Sequence, residues 1–144
     1  MNVFAFSVSM PPSANNMFAT YNNRRIISRE YKAWREKEEA AVYEAWLRQG
    51  APAFERPVGV TIHLGLGFRG DIDNRIKPII DLLGKAIGDF PNDRYIDRIE
   101  AERVPGIDGA RILVMQLGQE ARSIGEIVAP IMDRIEANLK GEAA

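Results

Sequence analysis

The chain has no cysteine, one histidine, and no apolar run long enough to span a bilayer. Each shortage closes off a class of function. Without thiols there is no disulfide framework and no thiolate metal site, which fits a reducing compartment. The lone histidine, His63, falls in mid-strand several residues from any acidic cluster, so it reads as a cross-strand or surface residue. The N-terminus lacks a basic region followed by a long apolar core, so the chain reads as cytoplasmic with no membrane partner. Net charge is -1 and the pI about 5.9, which excludes a uniformly basic nucleic-acid binder.

What charge there is lies unevenly. Between Asn22 and Lys37 stand Arg24, Arg25, Arg29, Lys32, Arg35 and Lys37 against only Glu30 and Glu36. A local excess of positive charge of this kind suits phosphate contact, because cations near a DNA backbone release condensed counterions. Arg24, Arg25, Arg29 and Lys32 are therefore candidate DNA contacts.

The most informative stretch runs from Gly67 to Asp93, GFRGDIDNRIKPIIDLLGKAIGDFPND. Asp71 and Asp73 stand two apart where a strand pattern gives way to a helix pattern, so in extended backbone both carboxylates share one side. Two like charges held together need a proton or a cation between them, and magnesium or manganese takes oxygen ligands of this type. The other reading is helix capping, since Asp and Asn before a helix suit its positive end. Ile72, Ile76, Ile79, Ile80, Leu83 and Ile87 recur at helical spacing, which puts Asp73, Lys77 and Asp81 along the polar side. Pro78 predicts a start near Asp73 or Asn74, or a kink. Asp93 follows a Phe90-Pro91-Asn92 turn; folded back along the sheet, it would join the pair as a third carboxylate and hold one or two divalent ions.

Elsewhere, Val3 to Ser9 alternates as a strand, and Ser13 to Ile27 shows little periodicity and reads as a long loop. Ser28 is a plausible N-cap for a helix to about Gln49, with Tyr31, Trp34, Ala41, Val42, Ala45 and Trp46 on its buried face. Val58 to Phe68 is the clearest strand. Ile96 to Val104 and Ala110 to Leu117 read as a hairpin, and Gln119 to Leu139 as a helix that Pro130 kinks or divides. With 144 residues, 46% of them hydrophobic, the chain fits one domain. The order β-α-β-α-β-β-α predicts an α+β (mixed α/β) fold, one mixed sheet flanked by helices.

The run Arg69, Gly70, Asp71, Ile72, Asp73, Asn74, Arg75, Ile76, Lys77, with Asn92 and Asp93 one helix later, resembles the signature of the RusA family. These are crossover junction endodeoxyribonucleases, or Holliday junction resolvases. Pro11, Pro12, Ser13, Asn15 and Asn16, then Arg24 or Arg25, and Ser28 resemble the family's opening motif, and the likeness spans about residues 3 to 117. The resemblance implies one endonuclease domain over residues 1–144, with 119–144 a C-terminal helical extension. It implies a homodimer that nicks opposing strands of a four-way junction, with Asp71, Asp73 and Asp93 as magnesium ligands, manganese a possible substitute, and Lys77 essential beside them. Asn74 matches the motif and would orient a water at the metal or cap the helix; Arg69 would hold a phosphate or form a surface ion pair.

Two rivals remain at this stage. A non-catalytic branched-DNA-binding module would hold junctions with or without magnesium and never cut them. A haloacid-dehalogenase-type phosphatase also uses an Asp-x-Asp pair after a strand, but Arg69 and Gly70 interrupt the apolar run and the chain is short for that fold. An EF-hand is excluded, because Ile76 and Leu82 occupy the loop positions that need glycine and an acid.

Overall fold

The structure, a computed structural model, describes residues 2–65, 70–88 and 96–141, with the side chains of 119–127 set aside. Six strands and three helices follow in the order β1 (Val3–Val8), β2 (Phe18–Tyr21), β3 (Arg24–Ile27), α1 (Arg29–Arg48), β4 (Val58–Gly65), α2 (Asp73–Ala86), β5 (Ile96–Val104), β6 (Ala110–Gln116) and α3 (Gln119–Leu139). A single 3-10 turn, Ala14–Asn16, precedes β2. The fold is α+β, as the element order predicts.

The main sheet is mixed, with strand order β1-β6-β4-β5. Strand β4 runs parallel to β5 and antiparallel to β6, so β4, α2 and β5 form a βαβ unit. Alternation decides which face is buried. Phe4, Phe6 and Val8 of β1, Val60, Ile62 and Leu64 of β4, and Ile112 and Val114 of β6 enter one core with Tyr31, Trp34 and Val42 of α1 and Ile79, Leu82 and Leu83 of α2. Ile72 and Ile76 pack against its margin, so the isoleucine stripe of α2 faces inward as its spacing predicts.

Four sequence expectations change. The stretch from 96 to 117 is not a hairpin: β4 lies between β5 and β6 and pairs with both. The five-residue link crosses the end of β4, a gap of two strand spacings or about 10 Å, which five residues span easily. At the crossing Gly65 N–H donates to the Gly109 carbonyl at 2.8 Å, and a Cβ on Gly65 would collide with the Ile107 carbonyl oxygen. Within the expected loop of 13–27, β2 and β3 pair, turning at Asn22 and Asn23, whose φ of 50° and 60° suit a tight I′-type hairpin turn. On α1, Ala41 is exposed and Glu38 is buried. Helix α3 continues through Pro130 as one element. Among the described residues no helix is long and apolar enough to cross a membrane.

Candidate active site and nucleic-acid interface

Strand β4 and helix α2 deliver the acidic pair. The Gly70 carbonyl accepts a hydrogen bond from the Arg103 guanidinium, which ties the approach to Asp71 to the C-terminal end of β5. Asp71 and Asp73 are both exposed, Asp73 as the first residue of α2. The helix N-cap is Ile72, with no side-chain capping bond. Neither carboxylate makes a hydrogen bond or ion pair among the described residues. Among the described residues capping does not occupy them: two hard oxygen donors lie exposed at the positive end of a helix. This donor set suits magnesium or manganese and would serve a softer metal poorly.

One turn on, Lys77 is exposed and its Nζ lies 3.3 Å from Asp81 Oδ2. The ammonium is thus held on the polar side of α2 just past the acidic pair. Asn74 is half-buried, and Pro78, lacking an N–H, leaves the Asn74 carbonyl without its helical donor.

The opening motif turns out to anchor this region. Glu38 Oε1 accepts from Ser9 N at 3.2 Å and Ser9 Oγ at 2.6 Å, and Trp34 Nε1 donates to Ser9 O at 3.1 Å. Two residues later the Pro11 carbonyl accepts from Arg75 of α2. The Pro-Pro segment is therefore clamped between α1 and α2. Ser13 caps the 3-10 turn, and Ser28 caps α1 through Tyr31 N at 3.2 Å while its own N–H donates to Met17 O at 2.9 Å, closing the base of the hairpin.

That hairpin carries the basic residues. Arg24 and Arg25 lie exposed on β3, and Arg25 stacks over the Phe18 ring at 3.8 Å. Arg29 and Lys32 are exposed on the first turn of α1. Between hairpin, α1 and α2 lies a groove of about 440 Å3 lined by Phe18, Tyr31, Arg35, Asp81, Gly84 and Lys85, among others. Burial first, and the Asp81 carboxylate second, raise the Tyr31 phenol above its ordinary pKa, while Arg35 opposes them. Asp81 thus touches Lys77 on one side and the groove on the other.

Arg69 and Asp93 lie outside the described residues. Their flanks are described: Ile96 pairs with Val58, at the opposite end of β4 from Gly65. Among the described residues no three His, Cys, Asp or Glu side chains form a group able to hold a metal. His63 keeps to the cross-strand role, its Nε2 lying 3.4 Å from Glu102 Oε1 on β5. In the sequence Arg75 figured only as part of the family-like run, without a role, and Arg103 and Glu38 were not singled out. For Glu38 a signal existed, since it stands four residues after Trp34 on the buried stripe; Arg103 carried none.

The sequence is similar to known proteins over most of its length. The sequence model of the family described as Endodeoxyribonuclease RusA matches residues 9–115, well over half the chain. The chain is 27% identical over 122 residues to the crossover junction endodeoxyribonuclease RusA of Shigella sonnei (strain Ss046), a match covering 83% of this chain and 100% of that protein. It is 26% identical, with the same coverage, to the proteins of that name from Escherichia coli strains K12 and E24377A. With the Asp-x-Asp pair at the strand-to-helix junction and the clamped Pro-Pro segment inside the matched region, the chain belongs to the RusA family of endodeoxyribonucleases.

Proposed function

We propose that this chain is a divalent-metal-dependent endodeoxyribonuclease that resolves four-way DNA junctions by paired nicks, working as a homodimer in the cytoplasm. The observation that carries the reading is the pair of exposed carboxylates, Asp71 and Asp73, one turn before Lys77 on a helix whose later half faces the basic hairpin across the groove. Asp71, Asp73 and Asp93 would hold magnesium, which when bound would supply Lewis acidity for phosphodiester hydrolysis. The protein's own groups do the rest. Arg24, Arg25, Arg29 and Lys32 bind the flanking phosphates, and Arg69 adds a further phosphate contact. Lys77 stabilises charge that builds on the phosphate or the leaving oxygen. Asn74, at the start of α2, orients the water.

A two-fold dimer matches a two-fold substrate. Ile96, three residues after Asp93, pairs with Val58, whereas Gly65 at the other end of β4 leads toward Asp71. In our reading the partner subunit's Asp93 completes each site.

The test is cleavage of a synthetic four-way junction, a flap and a linear duplex in magnesium, in manganese and in chelator. Nicking of the junction is expected only with metal. Asp73→Asn and Lys77→Ala should each lower cleavage by at least about a hundredfold, the scale of a lost charge-stabilising group, while junction binding in chelator persists. Equal cutting by Asp73→Asn would refute the site. Tight binding by the native chain with no cutting in either metal would favour the binding module.

A further inference from the structure

The groove between the hairpin, α1 and α2 belongs to none of the roles assigned so far. Its apolar wall is Phe18, Ile27 and the Tyr31 ring, and its polar groups are Arg35, Asp81 and Lys85. Arg35 lies with its guanidinium 5.6 Å from the Tyr31 ring centre, and its Nε is buried with no hydrogen-bond partner among the described residues. With Nε enclosed and the guanidinium bonded to the Tyr31 phenol, the fork still has further N–H donors to offer an acceptor in the groove. Gly84 opens the α2 wall: a Cβ there would meet nothing within 4 Å.

Position narrows the choice of ligand. At 1.5 Å per residue Asp81 stands about 12 Å along α2 from Asp73, within a nucleotide or two of a phosphate held at the acidic pair. Arg35 and Lys85 line the groove, Arg25 lies over the Phe18 ring of its wall, and Lys77 pairs with Asp81, so positive charge gathers at it. An aromatic and apolar wall, an arginine with a spare donor and a carboxylate acceptor are the groups that read an unstacked base.

We propose that this groove receives a nucleobase unstacked within a nucleotide or two of the scissile phosphate, with Arg35 donating to its edge and Phe18 flanking its face. The proposal rests on the nuclease reading above. It places substrate selection on α1 and the hairpin, apart from the carboxylates that perform the chemistry. Because Asp81 contacts Lys77, a seated base also fixes the partner of that lysine.

The test combines abasic substitutions with two protein variants. Abasic sites are placed one at a time within three nucleotides of the crossover of a four-way junction, and magnesium-dependent cleavage is measured. Arg35→Met removes the donor. Gly84→Leu fills the groove from a helix position where leucine is a better helix former than glycine, so folding is preserved. The native protein should lose roughly tenfold at one abasic position, the scale of one base-stacking contact. Both variants should show that loss on the intact junction and lose nothing more from the abasic site at that position. Losses that multiply at every position, or variants that cut the intact junction like the native protein, overturn the pocket and leave the nuclease standing. A native protein that cuts no junction overturns the nuclease reading and the pocket with it.

Discussion

Mixing two inactive variants tests whether each active site draws on both subunits. Strand pairing sets Ile96 beside Val58, whereas Arg103 ties the other end of β5 to Gly70, next to Asp71. Those ends are about 23 Å apart at 3.3 Å per residue. Asp71→Asn and Asp93→Asn should each be inactive alone. When they are refolded together in equal amounts, about half the dimers are mixed, and each mixed dimer has one site bearing both changes and one bearing neither. Nicking should therefore return to about a quarter of the native level per subunit. A supercoiled plasmid with an extruded cruciform reads the outcome directly, since single nicks give open circles and paired nicks give linear molecules. Open circles are expected without linear product. Asp71→Asn mixed with Asp73→Asn should recover nothing, because those two residues belong to the same half of a site. Absence of open circles from the first mixture, with mixed dimers demonstrated by native mass spectrometry, would refute the shared site.

Two further outcomes concern the framework. Gly65→Ala drives a methyl group into the Ile107 carbonyl where the β5–β6 link crosses β4, and should lower the unfolding free energy by about 2–3 kcal/mol in urea titration, the usual scale of overpacking; an unchanged midpoint would mean that the crossing can yield. Tyr31→Phe should remove an alkaline instability. Burial, the largest cause, raises the native phenol above its ordinary value of 10.0, so the unfolded chain loses the proton first as pH rises. The phenol's contribution is fully present below pH 10 and is lost as pH climbs toward the raised native value. Thermal melts between pH 9 and 11 should therefore fall more steeply for the native chain than for the variant.

The helix that carries the acidic pair was legible because its signals are local. The stripe from Ile72 to Ile87 placed α2, and the Asp71-x-Asp73 spacing at a strand-to-helix junction marked the carboxylates, since both depend on residues within one or two turns. What escaped was long-range. Residues 96–104 and 110–116 have the alternation of any strand pair, and a Pro-Gly-Ile-Asp-Gly link serves a tight turn or a step over a neighbour equally well. Only the partnership of both strands with β4 decides it, and that is settled some 40 residues upstream. The β2–β3 hairpin escaped for another reason. All eight of its strand residues are exposed, so burial left no period of two in the sequence, and the one available sign was the Asn22-Asn23 turn. Glu38 shows the converse: a charged residue sits on the buried face because Ser9 offers it two donors.

The sheet's strand order carries a consequence for how the enzyme is made. Strand β1 is bonded within the main sheet only to β6, the last of its four strands to be synthesised. During translation the βαβ segment bearing Asp71, Asp73 and Lys77 leaves the ribosome as one contiguous block, yet the strand preceding the basic hairpin has no place in the sheet until Gln116 follows. Strand β1 takes its place in the sheet only when the closing strand β6 slides between it and β4.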